Sequence, residues 1–257
     1  MPSTADLLLD RLVTVFEGHR DTPRATRMAA YMRNLFPFLG IPTPARRALD
    51  REVRRGLPAP TEAELGEVAL ACWALPEREY QYFAVDLVCR HIRVCSPAFL
   101  GTLERLITTR SWWDTVDGLA SHAAGGLVQA HPELREDMDR WSEAGDFWLA
   151  RTAILYQLGY KQRTDEPRLF RYCTRNAGSG EVFLRKAIGW ALREYSKTDP
   201  AAVREYVAAH AGTLSGLSRR EALKWLDRRG AVAERSLSEV AEWGPAEDWS
   251  DWADAAR

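Results

Sequence analysis

The chain has little that would tie it to a membrane, a disulfide frame or a metal. Its four cysteines, Cys72, Cys89, Cys95 and Cys173, form no CxxC pair and no ligand-spaced cluster with histidine. A reduced cytoplasmic setting fits them better than disulfides or a zinc site, and no cofactor is expected. No apolar run approaches the roughly 20 residues needed to span a bilayer, so no membrane association is expected. The start, MPSTADLLLDRLVTVFEGHR, places Asp6 and Asp10 inside its apolar pattern, which marks an amphipathic helix and not a signal peptide. Convincing strand alternation is also missing. So is strong net charge: 35 basic and 36 acidic residues leave −1.

That small total averages over unlike parts. Residues 231–257 hold seven acids and two bases, a net of −5, whereas residues 151–230 hold sixteen bases and eight acids, a net of +8. A second basic stretch, 22–55, carries eight arginines against two acids. Clusters of this kind are the electrostatic footprint of a polyanion binder, and equally of a solvated face on a helical protein.

What is present is helical periodicity. ELGEVALACWAL, FAVDLVCRHI, KWLDRR and IGWALREY space their apolar residues three and four apart. Pro60, Pro97, Pro132, Pro167 and Pro200 recur at intervals of 37, 35, 35 and 33 residues in similar contexts. Proline is preorganised for the first helical turn and needs no amide donor there, so each marks a helix start. Trp113, Trp148 and Phe183 form a second register, 35 and 35 apart, each opening the second helix of its unit. A period near 35 with two helices per unit predicts an all-α fold, a curved α-solenoid. Residues 1–55 read as helices capping the stack and the second helices as the lining of one face. The expected division is a repeat domain over 1–230 and an acidic, tryptophan-containing C-terminal helix or tail over 231–257.

SWWDTVD, residues 111–117, crowds two tryptophans and two aspartates into one helix start. Ser111 and Asp114 match a capping box, which gives Asp114 a structural task. Trp112 belongs with Val116, Leu119 and Ala123 in the core. Trp113 and Asp117 are left, four apart and so neighbours on another face of the helix. Asp117 has no cap to serve: either it faces a ligand or it pairs with an arginine of the next unit. His122 lies off that face and reads as structural. Arg151, in the apolar WLARTAILYQLGY, must be paired or face a ligand. In FLRKAIGWALREYSK, Trp190 has Lys186 four before it and Arg193 three after it; rings interleaved with bases suit stacking and phosphate contact, although a single tryptophan is more often core.

These blocks, with YMRNLFPFLGIPTPARR (31–47) and LSRREALKWL (217–226), are collinear and resemble the AlkD family of DNA alkylation repair glycosylases. The resemblance covers residue 25 to about 228. It implies HEAT-like repeats wrapping duplex DNA in a basic concave groove, and hydrolytic release of cationic alkylated purines, chiefly 3-methyladenine and 7-methylguanine, without lyase action. It points to Asp117, Trp113 and Trp190 as the site around the damaged nucleotide. Arg151 falls where the family has a phosphate-contacting arginine, Arg193 is a similar candidate, and Tyr31 falls on a position near the DNA. The tail over 231–257 lies beyond the match.

Alkylation of a ring nitrogen makes the purine a cation, so it can leave neutral without being protonated; the charge in the transition state then develops on the sugar. Two indole faces, at about 0.5–2 kcal/mol each, and one preorganised carboxylate, at roughly 3–4 kcal/mol, suit that cation. The expectation is therefore a metal-free, monomeric base-excision-repair enzyme, cytoplasmic or nucleoid-associated, that also accepts bulky adducts. Two other readings stay open: a non-catalytic relative that binds unusual DNA structures, and a protein-interaction scaffold.

Overall fold

Caps and prolines set the helix starts along the whole chain. In the computed structural model, which describes residues 2–234, three N-terminal helices precede the repeats: α1 (Thr4–Glu17), α2 (Thr22–Tyr31) and α3 (Thr43–Val53). Ser3 and Asp6 close a capping box on α1, and Asp21 caps α2. Antiparallel units follow. The first pairs α4 (Glu62–Ala74) with α5 (Arg78–His91). The second pairs α6 (Leu100–Thr108) with a run made of α7 (Trp113–Gly118), a π-helical stretch Leu119–Ala124 and α8 (Gly125–Ala130). Next come α9 (Arg135–Ser142) with α10 (Phe147–Leu155), α11 (Glu166–Asn176) with α12 (Val182–Tyr195), and α13 (Pro200–Ala209) with α14 (Gly216–Glu234). Pro167 and Pro200 lie in the first turns of α11 and α13, and Pro97 and Pro132 open the 3-10 turns that lead into α6 and α9. Pro60 sits one residue before Thr61, the capping residue of α4. There is no strand among the described residues.

The chain is thus the curved α-solenoid of HEAT-like repeats that the 35-residue period predicts. Second helices stack in the order α5, α7, α10, α12, α14, and one continuous apolar core runs beneath them. Hydrogen bonds between units keep the same interval. The Trp73 indole donates to the Thr109 carbonyl, Tyr160 to Gly125, Asn176 to Ser142 and Tyr206 to Phe170, at separations of 36, 35, 34 and 36 residues. Each unit packs chiefly on its neighbours, as in stacked repeats. α14 runs through position 230 to Glu234; the rest of the expected acidic tail, 235–257, lies outside the described residues.

The helix of the second unit is positioned by three close approaches. A Cβ at Gly118 would lie 3.0 Å from the Val85 side chain, at Gly126 2.8 Å from that of Ile92, and at Gly125 2.3 Å from the Tyr156 carbonyl oxygen. The π turn between them re-phases the helix, so the same run can lie against α5 on one side and α10 on the other; such turns often adjoin functional sites. Gly125→Ala meets rigid backbone and should lower stability by about 1–3 kcal/mol, a loss of several degrees in Tm by thermal denaturation. An unchanged Tm would show that the two helices separate freely.

Candidate nucleic-acid interface

The start of α7 departs from the expected capping box. Trp112 is the residue preceding the helix and no side chain caps it. The Ser111 hydroxyl instead donates to the Ile107 carbonyl at 2.6 Å. Asp114 is gripped from α5: Arg78 Nε donates to Oδ2 at 2.9 Å, Arg78 Nη2 to Oδ1 at 2.6 Å, and the Tyr82 hydroxyl to Oδ2 at 2.7 Å. A fully buried guanidinium prefers a carboxylate fork to solvent, and that demand overrides the local capping signal. Asp114 is structural, as expected, but it serves a neighbouring unit and not its own helix.

Asp117 also meets an arginine of the next unit. Arg151 donates from Nε to Oδ1 at 2.7 Å and from Nη2 to Oδ2 at 2.9 Å. Its Nη1 donates to the Phe183 carbonyl in the first turn of α12. The guanidinium is 0% exposed, so the phosphate contact expected of Arg151 is corrected: with every face covered and its fork engaged, it cannot reach DNA. Asp117 remains 8% exposed. Burial raises its carboxyl above the ordinary range; Arg151 opposes that shift and Asp114 adds to it.

The remaining residues lie on either side of this pair. Trp113 is half-buried and packs on the main core and on a small N-terminal cluster of Met32, Phe36 and Phe38. Trp190 is half-buried on α12. Lys186, one turn before it, is held below the ordinary lysine range by partial burial and the charge of Arg151, with Arg33 adding and Glu221 opposing. Tyr31 ends α2 with half its surface open, and burial together with the Asp114 charge raises its hydroxyl. Arg193 commits Nη1 to Glu221 of α14 at 2.6 Å. Trp113, Trp148 and Phe183 do open equivalent helices, but the rings that cluster are Trp112, Trp148 and Phe183, with centroids 5.0–6.1 Å apart. Trp112 is accordingly half-buried among rings and not sealed beneath Val116 and Leu119.

Sequence reasoning missed the residues that bring the N-terminal segment to this place. Arg78 stacks its guanidinium 3.8 Å from the Phe36 ring centroid, and its backbone amide donates to the Pro37 carbonyl at 2.9 Å. Buried Glu79 accepts the amides of Leu39, Gly40 and Ile41 at 2.8–3.1 Å. Gly40 adopts φ +93° there, where a Cβ would lie 2.2 Å from the Asp21 carbonyl oxygen. In PEREY, adjacent charges at a helix start look like a solvated end; the only hint of burial is the aromatic pattern that follows.

Among the described residues no group of three histidine, cysteine or acidic side chains could hold a metal ion. No described helix is long and apolar enough to cross a membrane. The thiols are poor nucleophiles, since burial pushes Cys95 up to about 11 and Cys89 to about 12.

A family model described as DNA alkylation repair enzyme matches residues 12–226. A solved structure described as a predicted DNA alkylation repair enzyme from Enterococcus faecalis is 32% identical, with a TM-score of 0.74 over 81% of this chain and 97% of that one. The probable antitoxin MazE2 of Mycobacterium tuberculosis is 75% identical over 24 residues, 9% of this chain, and the match spans 30% of that relative's length. A match that short carries no argument about fold or function.

Arg151→Met should lower stability by about 3–5 kcal/mol, because it leaves the Asp117 carboxylate buried without its partner. Arg151→Lys, which keeps the charge and loses the fork, should fall between the two by thermal denaturation. Titration of Arg151→Met, which removes the charge, with duplex DNA should keep the parent's salt dependence. A slope lower by about 1 would put Arg151 on a phosphate.

Proposed function

The chain belongs to the DNA alkylation repair enzyme family, and from that premise we propose that it is a monofunctional DNA glycosylase acting on cationic alkylated purines in duplex DNA. The supporting observation is Asp117: a carboxylate held by a buried arginine fork, on the same helix face as Trp113 and two units from Trp190. A core salt bridge alone would not require a half-buried tryptophan one turn before the acid.

The glycosidic bond breaks with its electron pair moving to the purine, which leaves neutral; the sugar becomes an oxocarbenium-like cation, and water adds at its C1′ and then loses a proton. In this reading the Trp113 and Trp190 faces and the Asp117 carboxylate meet that cation. Arg151 is a positioning residue. It fixes both carboxylate oxygens, so little reorganisation accompanies charge development. It also offsets part of the carboxylate's field, so the pair acts as an oriented dipole with its negative end toward the sugar. Purine selection follows from the lability of a positively charged base. 3-Methyladenine, 7-methylguanine and bulkier cationic adducts are the substrates, and the chain works as a monomer.

Incubation with methylated duplex DNA, followed by chromatography of the freed bases, tests this directly. Release of 3-methyladenine and 7-methylguanine is expected; binding to duplex DNA with no release would leave a non-catalytic DNA binder. Asp117→Asn should reduce the single-turnover rate by about two to three decades with DNA affinity nearly unchanged. The rate should also depend on pH in one sense. Asp117 acts ionised and burial raises its carboxyl, so the rate falls as acid protonates it, beginning above the ordinary carboxylate range. Equal acid limbs in the parent and Asp117→Asn would remove Asp117 from the mechanism.

A further inference from the structure

A cleft of about 460 Å³ lies away from the tryptophans, between α3, α5 and the π turn. Four arginines line it: Arg47 and Arg51 from α3, Arg54 just after its end, and Arg90 from α5. Among the described residues none of the four has a carboxylate within 4 Å, and burial with the nearby charge of Arg90 holds Arg54 below its ordinary range. The two carboxylates in the lining, Asp50 and Asp86, are shared with a fifth arginine. Arg46, buried behind the cleft, donates from Nη1 to Asp50 Oδ2 and to Asp86 Oδ2, both at 2.9 Å. Asp50 is 4% exposed, and its Oδ1 has no hydrogen-bond partner. Cys89 and His122 complete the titratable groups facing it.

Four crowded arginines face two carboxylates, Asp50 and Asp86, that touch none of them, and the surplus of positive charge calls for an anion from outside. A phosphate seated among them would lie beside Asp50 and repel its ionised form. Only one arginine bond favours the charged form of this buried carboxyl, and its other oxygen lacks a donor, so neutralising it is cheap. We propose that this cleft, which none of the site's tryptophans lines, holds a phosphodiester of duplex DNA, and that its occupation is coupled to uptake of a proton by Asp50. The inference rests on the reading that the chain binds duplex DNA, and not on base release.

Proton linkage fixes the sign. Burial raises the Asp50 carboxyl to about 6; Arg46 opposes this and Asp86 adds to it. A neighbouring phosphate raises it further, so Asp50 is protonated in the complex over a range where the free protein has it ionised. Binding is therefore tightest in mild acid and weakens as pH rises from 6 to 8.

The test is the Kd for an undamaged duplex oligonucleotide at fixed salt, measured by fluorescence anisotropy between pH 6 and 8. The parent should weaken about threefold to tenfold across that range, since a carboxyl that holds its proton about tenfold more tightly in the complex can change Kd by at most that factor. Asp50→Asn should bind at pH 8 as the parent does at pH 6, with a flat profile, and His122→Gln should keep the parental profile. Arg51→Gln and Arg54→Gln, on side chains reaching into the cleft, should each lower the salt slope by about 1 and shrink the pH dependence; they decide the matter if Asp50→Asn fails to fold. A parental profile in Asp50→Asn, a flat one in His122→Gln, or an unaltered salt slope in both arginine variants overturns the proposal. Absence of any duplex binding overturns it together with the reading beneath it. Pronounced pH dependence with no base release would leave this inference standing and sink the glycosylase.

Discussion

One guanidinium ties three repeats together. Arg151 springs from α10, forks onto Asp117 of α7 and reaches the Phe183 carbonyl at the start of α12. Removing an arginine from water is costly, and only the fork together with the carbonyl bond offsets that cost. The arrangement therefore exists only when the three second helices are stacked at their native spacing. Stacking in turn depends on the glycines of the second unit, because a side chain at Gly125 would push α10 away and take Arg151 with it. Site geometry and repeat packing are a single constraint.

The same device recurs one unit earlier. Arg78 of α5 forks onto Asp114 of α7, and its other face carries the Phe36 ring. α7 is thus clasped from both sides, with its first aspartate bound backward along the stack and its second bound forward. Trp113, immediately before the first acid and one turn before the second, is held with the helix, and the small cluster of Met32, Phe36 and Phe38 closes on it from the N-terminal segment. That segment ends α2 with Arg33 and Asn34 both at φ +57°, a conformation uncommon outside glycine and kept only where the surroundings enforce it. Its anchors, Arg78 and Glu79, belong to the first repeat. The N-terminal helices are accordingly part of the wall of the groove as well as a cap on the stack.

The fold was legible because its determinants are local and repeated. A proline at a helix start has the same effect in every unit, and five of them spaced by about one repeat reveal the period without any knowledge of contacts. The site was legible only in part. Elimination singled out Trp113 and Asp117, and a partnership with an arginine of the next unit was one of the two readings open for Asp117. Nothing in the chain distinguished Arg151 as that partner from Arg151 as a phosphate ligand, because an arginine in an apolar helix looks the same in both cases. The choice lies in where the helix faces, which depends on the stacking angle of its neighbours. Asp114 went astray for the same reason: a capping box is a short-range signal, and a fully buried arginine 36 residues away outweighed it.

Pairing a catalytic anion with a buried cation looks self-defeating, since each cancels part of the other's field. The reaction proposed here makes the arrangement intelligible. A lone carboxylate buried this deeply would take up a proton, as its raised titration already foreshadows. Arg151 opposes that uptake, and it does so from the protein side, with its fork on the carboxylate and its third bond on a backbone carbonyl. What remains is a fixed dipole, and in the proposed reaction its negative end meets a sugar that becomes positive only in the transition state. Uncharged deoxyribose in intact DNA gains little from such a dipole, so the arrangement discriminates by charge development and not by shape. A cationic purine supplies its own leaving-group activation, and an enzyme that asks only for stabilisation of the sugar has no need of a second acid.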